Sequence, residues 1–328
     1  MKSLTYVQVF FSVVVVSMVM VGPCAGKDAP MSGATEECIG CHSTVTPDIV
    51  ADWKKSRHAR ITPAEALKKS ERERRISVDK VPDKLAGTTV GCAECHTLNV
   101  AAHKDSFNHT DVKIHLTVTP KDCAVCHPVE EKQFEQNLMA HAHGNLANNK
   151  LYFSLEKAIN GVQSFHDQKL TTADPDEKTG ADSCYHCHGT ALEVTGMEKR
   201  DSDFGEMEFP KLSGWPNQGV GRLNPDGSKG LCVPCHSRHQ FSIEVARKPY
   251  TCSQCHKGPD VPAYQAYSVS KHGNLFSSLY PEWNFTNVPW IVGKDFTAPT
   301  CAACHVSQLE DQDGDAIAKR THQMNDRL

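Results

Sequence analysis

Apolar residues are densest at the start of the chain, where Val7–Val21 forms a run behind the basic Lys2 and ahead of the small pair Ala25–Gly26. A basic start, a short apolar core and small residues predict a secretory signal over 1–25. The run falls short of the ~20 apolar residues of a membrane span, although retained uncleaved it would anchor the chain. Cys24 follows Pro23, a poor fit for a lipidated cysteine. Further on, three stretches place aromatic and apolar positions at helical intervals behind an early proline: Pro47 with Trp53, Pro128 with Phe134, and Pro259 and Pro262 with Tyr264 and Tyr267. Each opens after one histidine and closes on another sixteen residues on, at His42 and His58, His127 and His143, His256 and His272. This spacing predicts three short helices, each presenting its last histidine. The charged run Lys54–Arg75 predicts a solvated helix face. Prolines (18) and glycines (21) scattered through the chain predict a mainly α protein of short helices and long loops with little sheet.

An aromatic content of 7% and a mean hydropathy of −0.45 are too lean for a conventional apolar core. The cysteines account for this. Fourteen of fifteen lie in seven Cys-x-x-Cys-His motifs: Cys38, Cys41, His42; Cys92, Cys95, His96; Cys123, Cys126, His127; Cys184, Cys187, His188; Cys232, Cys235, His236; Cys252, Cys255, His256; Cys301, Cys304, His305. Two thiols three positions apart can form thioethers to the vinyl groups of one haem, and the following histidine then reaches its iron. Zinc sites pair two such units and need no histidine after each, and seven is odd. A redox dithiol would occur once, and close pairs staple distant segments poorly. Seven covalently attached c-type haems are therefore expected, and with them electron transfer. With residues 1–25 removed, about 43 residues remain per haem, so the haems themselves must fill a packed core within one unit, 26–328. Haem attachment outside the cytoplasmic membrane agrees with export to a periplasm-like compartment. The formal charge of −4 becomes more negative with haem propionates, and no basic tract calls for nucleic acid.

Each iron has a sixth position. Eleven histidines lie outside the motifs, whereas only Met31, Met139, Met197, Met207 and Met324 remain after the signal, which favours bis-histidine haems. The repeat points to His58, His143 and His272. His239, three residues after His236, and His322, seventeen after His305, are further candidates. His115 is the best of the remainder, with His103 and His141 in reserve, while His109, His166 and His186 are assigned other tasks. Which distal histidine serves which haem stays open, and each could instead be solvated or bound to a propionate.

Several strings resemble the multihaem hydroxylamine oxidoreductase family, the octahaem cytochromes that act on small nitrogen compounds. They are Glu37–His42 with Asp52–Ala59, Pro120–Pro128, Gly214–Arg222, Cys235–His239, Ser270–Gly273 and Asp295–His305. The resemblance implies a mostly helical, haem-packed fold, commonly trimeric, with one catalytic haem among carriers. That haem is the fourth along the chain, here on Cys184, Cys187 and His188, with its sixth position open to substrate. No distal candidate follows this motif at sixteen residues. The chain departs from the family in three ways. An eighth motif would follow the seventh, yet the chain stops 23 residues past His305, as a truncated or split gene would. Nothing matches the C-terminal tyrosine that oxidising members cross-link to the catalytic haem. The family's Asp–His pair over that haem has no clear counterpart: the loop Gly214–Gly230 offers Asn217, Gln218 and Asp226, and His166–Asp167 reads as a surface dipeptide. Two functions follow as expectations. One is redox conversion of hydroxylamine, hydrazine or nitrite, with electrons exchanged with a cytochrome or a quinone-linked protein. The other is a non-catalytic electron-carrier subunit. A homo-oligomer, or a partner chain supplying the C-terminal part, is expected in either case.

Overall fold

The computed structural model describes residues 29–202, 204–258 and 261–327, so the expected signal, Cys24 and Pro259 lie outside the described residues. Among the described residues the architecture is mostly helical with short sheets. The longest helix is Gly33–Val45, at 13 residues, followed by Lys150–Asn160, at 11. Three antiparallel hairpins interrupt the helices: Ser106–His109 with Val112–His115, Val162–His166 with Lys169–Ala173, and Glu193–Ser202 with Gly205–Ser213. A small sheet near the C-terminus joins Trp290–Ile291, Leu309–Glu310 and Ala316–Ala318. No described helix is long and apolar enough to cross a membrane.

The three sixteen-residue spacers are helical but broken before their histidines. The first helix, Pro47–Lys55, stops short of His58, because Ser56 leaves the helix and its Oγ accepts from Ala59 N at 3.2 Å. In the second, Pro128–Glu135 is followed by a break at Asn137, whose side chain accepts from Met139 N. His143 then sits inside the next helix, Ala142–Ala147. In the third, Ala263–Val269 ends at Ser270, which caps Lys271–Leu279 by accepting from Gly273 N, so His272 opens a helix instead of closing one. Small polar residues that satisfy free N–H groups start new helices at these points. The charged run Lys54–Arg75 is solvated as expected along most of its length, yet its only helix beyond Lys55 is Pro63–Leu67, and Arg75 turns inward.

Buried apolar side chains form two modest clusters. One gathers Phe276, Phe285, Trp290, Phe296, Ala303 and Leu309 around the seventh motif, and the other holds Ile76, Val81 and Leu85. Trp290 is fully buried, packs at a tilt against Phe296 with ring centroids 4.1 Å apart, and donates its indole N–H to Asn284 O at 2.9 Å. Trp290→Ala should therefore cost about 3–5 kcal/mol of stability, measured by denaturant unfolding. A continuous cavity of about 2460 Å³ runs through the described residues, its wall drawn from Ala34 to Asn325.

Candidate functional site

Each Cys-x-x-Cys-His motif folds as about one helical turn, as in Cys92–His96, Cys184–His188 and Cys301–His305. Helical spacing at i, i+3 and i+4 puts both sulfurs and the imidazole on one face. Local caps hold these turns: Thr300 accepts from Ala303 N, and Glu94 accepts from Gly91 N at 2.9 Å. All fourteen motif cysteines and all seven motif histidines line the one cavity.

Contacts between motifs set an order. The free thiols of Cys123 and Cys232, of Cys255 and Cys187, and of Cys252 and Cys301 lie within hydrogen-bonding reach of each other. Cys38 faces Cys92, Cys95 faces Cys123, and Cys235 faces both Cys252 and Cys255 at longer range. The motifs therefore adjoin as first, second, third, fifth and sixth, with the fourth and seventh branching from the sixth. Burial pushes the Cys92 and Cys235 thiols up to about 11. That is the reverse of the lowered values of reactive dithiols and metal thiolates.

The histidines test whether the cavity fits haem. An iron ~2 Å from a nitrogen of each of two imidazoles separates their ring centroids by ~6 Å. His42 and His109 lie 6.1 Å apart, His58 and His127 6.4 Å, and His236 and His322 6.3 Å; these six line the cavity, as do His239 and His272. His96 and His115 also lie 5.9 Å apart, but His115 is off the cavity wall. His239 stands beside His96, on a stretch where Ser237, His239 and Phe241 all adopt left-handed backbone (φ 55°, 67° and 47°). Such strain in non-glycine residues persists only where surroundings over-determine it, commonly at functional sites. Among the motif histidines, His96 Nδ1 donates to His115 O at 2.8 Å and His188 Nδ1 to Ala142 O at 2.9 Å, while His42 Nδ1 meets Thr46 Oγ1 at 2.9 Å. Fixing Nδ1 leaves Nε2 as the iron-binding atom and strengthens it as a donor. The residues present fit the group.

Several of the expected ligands lie away from the cavity wall. His115 is fully buried, and both its ring nitrogens face carbonyls, Nε2 to Leu98 O at 2.8 Å and Nδ1 to Thr117 O at 3.1 Å. It stacks on His103 at 3.6 Å, and His103 in turn contacts Asp105 and Asp122. This network ties the first hairpin to the third motif, and neither histidine lines the cavity. Although the three ligand-type side chains His103, Asp105 and His115 gather closely, the stacked rings and engaged nitrogens leave no common point for an ion. His143 donates from Nδ1 to Gly189 O at 2.6 Å and packs on Tyr185, off the cavity wall. His141 Nε2 donates to Glu135 O. His109, set aside on sequence, is the imidazole opposite His42. Its position depends on the hairpin folding back over the first motif, and no spacing signals this.

Around the fourth motif, the loop after Gly214 packs backbone against backbone. A Cβ on Gly219 would lie 2.3 Å from Gly189 N. Asn217 latches this loop, accepting from Thr190 N at 3.1 Å and donating to Tyr185 O at 2.9 Å. Gln218 accepts from Arg238, and Asp226 accepts from Thr119 and Ser228 on the side of the third motif. His166 and Asp167 lie exposed on the second hairpin. Glu156, which sequence reading did not single out, is buried beside Cys184 and Tyr185.

The family described as "Seven times multi-haem cytochrome CxxCH" matches residues 226–325, and "Cytochrome c554 and c-prime" matches residues 37–118. A probable nitrite reductase-hydroxylamine oxidoreductase fusion protein of Kuenenia stuttgartiensis is 27% identical over 277 residues, 83% of this chain and 25% of its own length. A solved hypothetical multiheme protein superposes with a TM-score of 0.86 at 44% identity, covering 92% of this chain and 58% of that one. A chain of the K. stuttgartiensis reducing HAO-like protein complex gives a TM-score of 0.49 at 24% identity, over 83% of this chain and 42% of that one. The chain thus spans less than two thirds of each relative. It has the mostly helical fold of multihaem c-type cytochromes and carries the Cys-x-x-Cys-His motifs on which such proteins attach haem; c-type cytochromes as a class are extracytoplasmic electron-transfer proteins. Its kinship to hydroxylamine-oxidoreductase-like proteins is distant.

Proposed function

We propose that the chain carries seven haems, relays electrons along the order of its motifs, and converts a small nitrogen compound at the haem of Cys184, Cys187 and His188. Hydroxylamine, hydrazine and nitrite are the substrates considered. Support comes from ring contacts: among the described residues no second imidazole stands in ring contact with His188, His256 or His305, whereas His42, His127 and His236 each have one at iron-bridging distance, and the resemblance to the octahaem cytochromes singles out the fourth of these motifs. The fourth motif is also a branch end, contacting the sixth through Cys187 and Cys255, which suits a site where electrons enter or leave.

When bound, haem supplies one-electron redox chemistry and an iron that can hold nitrogen ligands. The chain shapes what surrounds it. Ala142 O fixes the His188 ring, and Asn217 pins the loop that closes over the motif. Tyr152, Leu155, Ile159 and Trp215 line that part of the cavity with apolar side chains that are also open to solvent, and Asn160 and Arg222 supply its polar groups. Periplasmic residence and exchange with a cytochrome or a quinone-linked protein belong to this reading, as does assembly with further copies or a complementing chain.

A high-spin, five-coordinate electron paramagnetic resonance signal from one haem in seven, shifting on addition of hydroxylamine, is the expected result. Seven low-spin haems without response would sink the enzymatic reading and leave the carrier reading. The carrier reading draws on the three paired imidazoles and on Asn217 and Asp226 being engaged elsewhere.

A further inference from the structure

Beside the large cavity lies a small chamber of about 60 Å³ whose lining includes Arg75, Arg247, Arg320 and His322 and no carboxylate. Three buried polar atoms of this lining lack a hydrogen-bond partner: Arg75 Nη2, Arg247 Nε and His322 Nδ1. Unpaired buried donors are rare and cost about 1–3 kcal/mol each. The nearby carboxylates are committed. Glu130 pairs with Arg320 at 2.5 Å and accepts from Ser77, and Asp295 accepts from Asn287 and from Ile291 N. Burial pulls Arg75 down to about 8 and Arg247 to about 9, and only for Arg247 does a carboxylate, Asp295, act against it. A single water would fit the volume but can accept from only part of this donor set and brings no charge.

We propose that the chamber is an anion site that takes one carboxylate or small oxoanion, held by Arg75, Arg247 and the Nδ1–H of His322. Its two sources are a propionate of a neighbouring haem, reaching in from the shared wall, or a free inorganic oxoanion. The inference rests on the reading of His322 as the iron ligand opposite His236. An anion there accepts from the axial imidazole, and its charge stabilises the oxidised iron, which sets the potential of the fifth haem.

The test uses the full haem-loaded chain, with haem content measured on the same sample, and follows midpoint potentials by spectroelectrochemistry at constant ionic strength. Nitrate, a poor iron ligand, is the probe. If a propionate fills the chamber, Arg75→Gln lowers the potential of one haem, Arg75→Lys largely restores it, and nitrate leaves the wild type unchanged. If a free oxoanion fills it, nitrate lowers one wild-type potential and Arg75→Gln abolishes the response. Should Arg75→Gln fail to load haem, Arg247→Gln and the wild-type nitrate titration decide. Unchanged potentials in both variants with no nitrate response overturn the proposal and leave water as the occupant. His322→Ala separates the two levels of argument: if no haem turns high-spin, the ligand reading fails, and the nitrate titration still reports on the chamber.

Discussion

Replacing His109 with alanine is expected to turn one of the low-spin haems into a high-spin haem, whereas His115→Ala leaves every spin state as it was. Both residues come from the first hairpin, in which Ser106 pairs with His115 and His109 with Val112, yet their surroundings differ completely. The His109 ring stands 6.1 Å from that of His42 across the cavity, so its removal vacates the sixth position on the iron held by His42. His115 is locked between Leu98 O and Thr117 O and stacked on His103. Its loss strands those carbonyls and unsettles the Asp105–Asp122 network, at about 2–4 kcal/mol. Electron paramagnetic resonance on the two variants, beside denaturant unfolding, separates the outcomes. A high-spin signal from His115→Ala, or none from His109→Ala, would refute the assignment.

Acid should unfold the protein early and steeply. Burial pulls His58 and His322 down to about 4 and His236 to about 3, while the unfolded chain titrates near 6.5. Between these values the unfolded state binds more protons than the folded one, so stability rises with pH through this window and is complete above it. Read downward, the loss begins near pH 6.5 and runs to about pH 4, at roughly 3 kcal/mol for a group such as His58. Iron ligation acts in the same direction, since a coordinated nitrogen cannot take a proton. Circular dichroism and haem absorbance followed from pH 8 to pH 3 should fall together over this interval. A stability that is flat down to pH 4 would contradict the burial of these imidazoles.

Short-range chemistry was legible in the sequence. Seven Cys-x-x-Cys-His strings and a low apolar content pointed to haems sharing the interior, and all seven motifs do line one cavity. His58, His239, His272 and His322 do reach the cavity wall. What spacing could not convey was which segment folds against which. His58 and His127 meet across segments that the sixteen-residue repeat does not link, and His109 arrives on a hairpin whose register depends on tertiary packing. Nor does sequence tell a histidine with both nitrogens at carbonyls, as His115 has, from one aimed at a metal. The predicted helices broke at Ser56, Asn137 and Ser270, where side-chain caps outweighed a weak apolar periodicity.

The three imidazole pairs also have a meaning in polymer terms. Joined through iron, His42–His109, His58–His127 and His236–His322 close loops of roughly 70 to 90 residues, each removing about 4 kcal/mol of chain entropy from the unfolded state on the loop-closure account. The first two loops overlap, because residue 58 lies inside the first and residue 109 inside the second. A protease that nicks the backbone anywhere from 58 to 109 therefore cuts within both rings at once, and the two fragments remain tied at two irons. The cleaved protein should migrate as one species until its haem ligands are stripped.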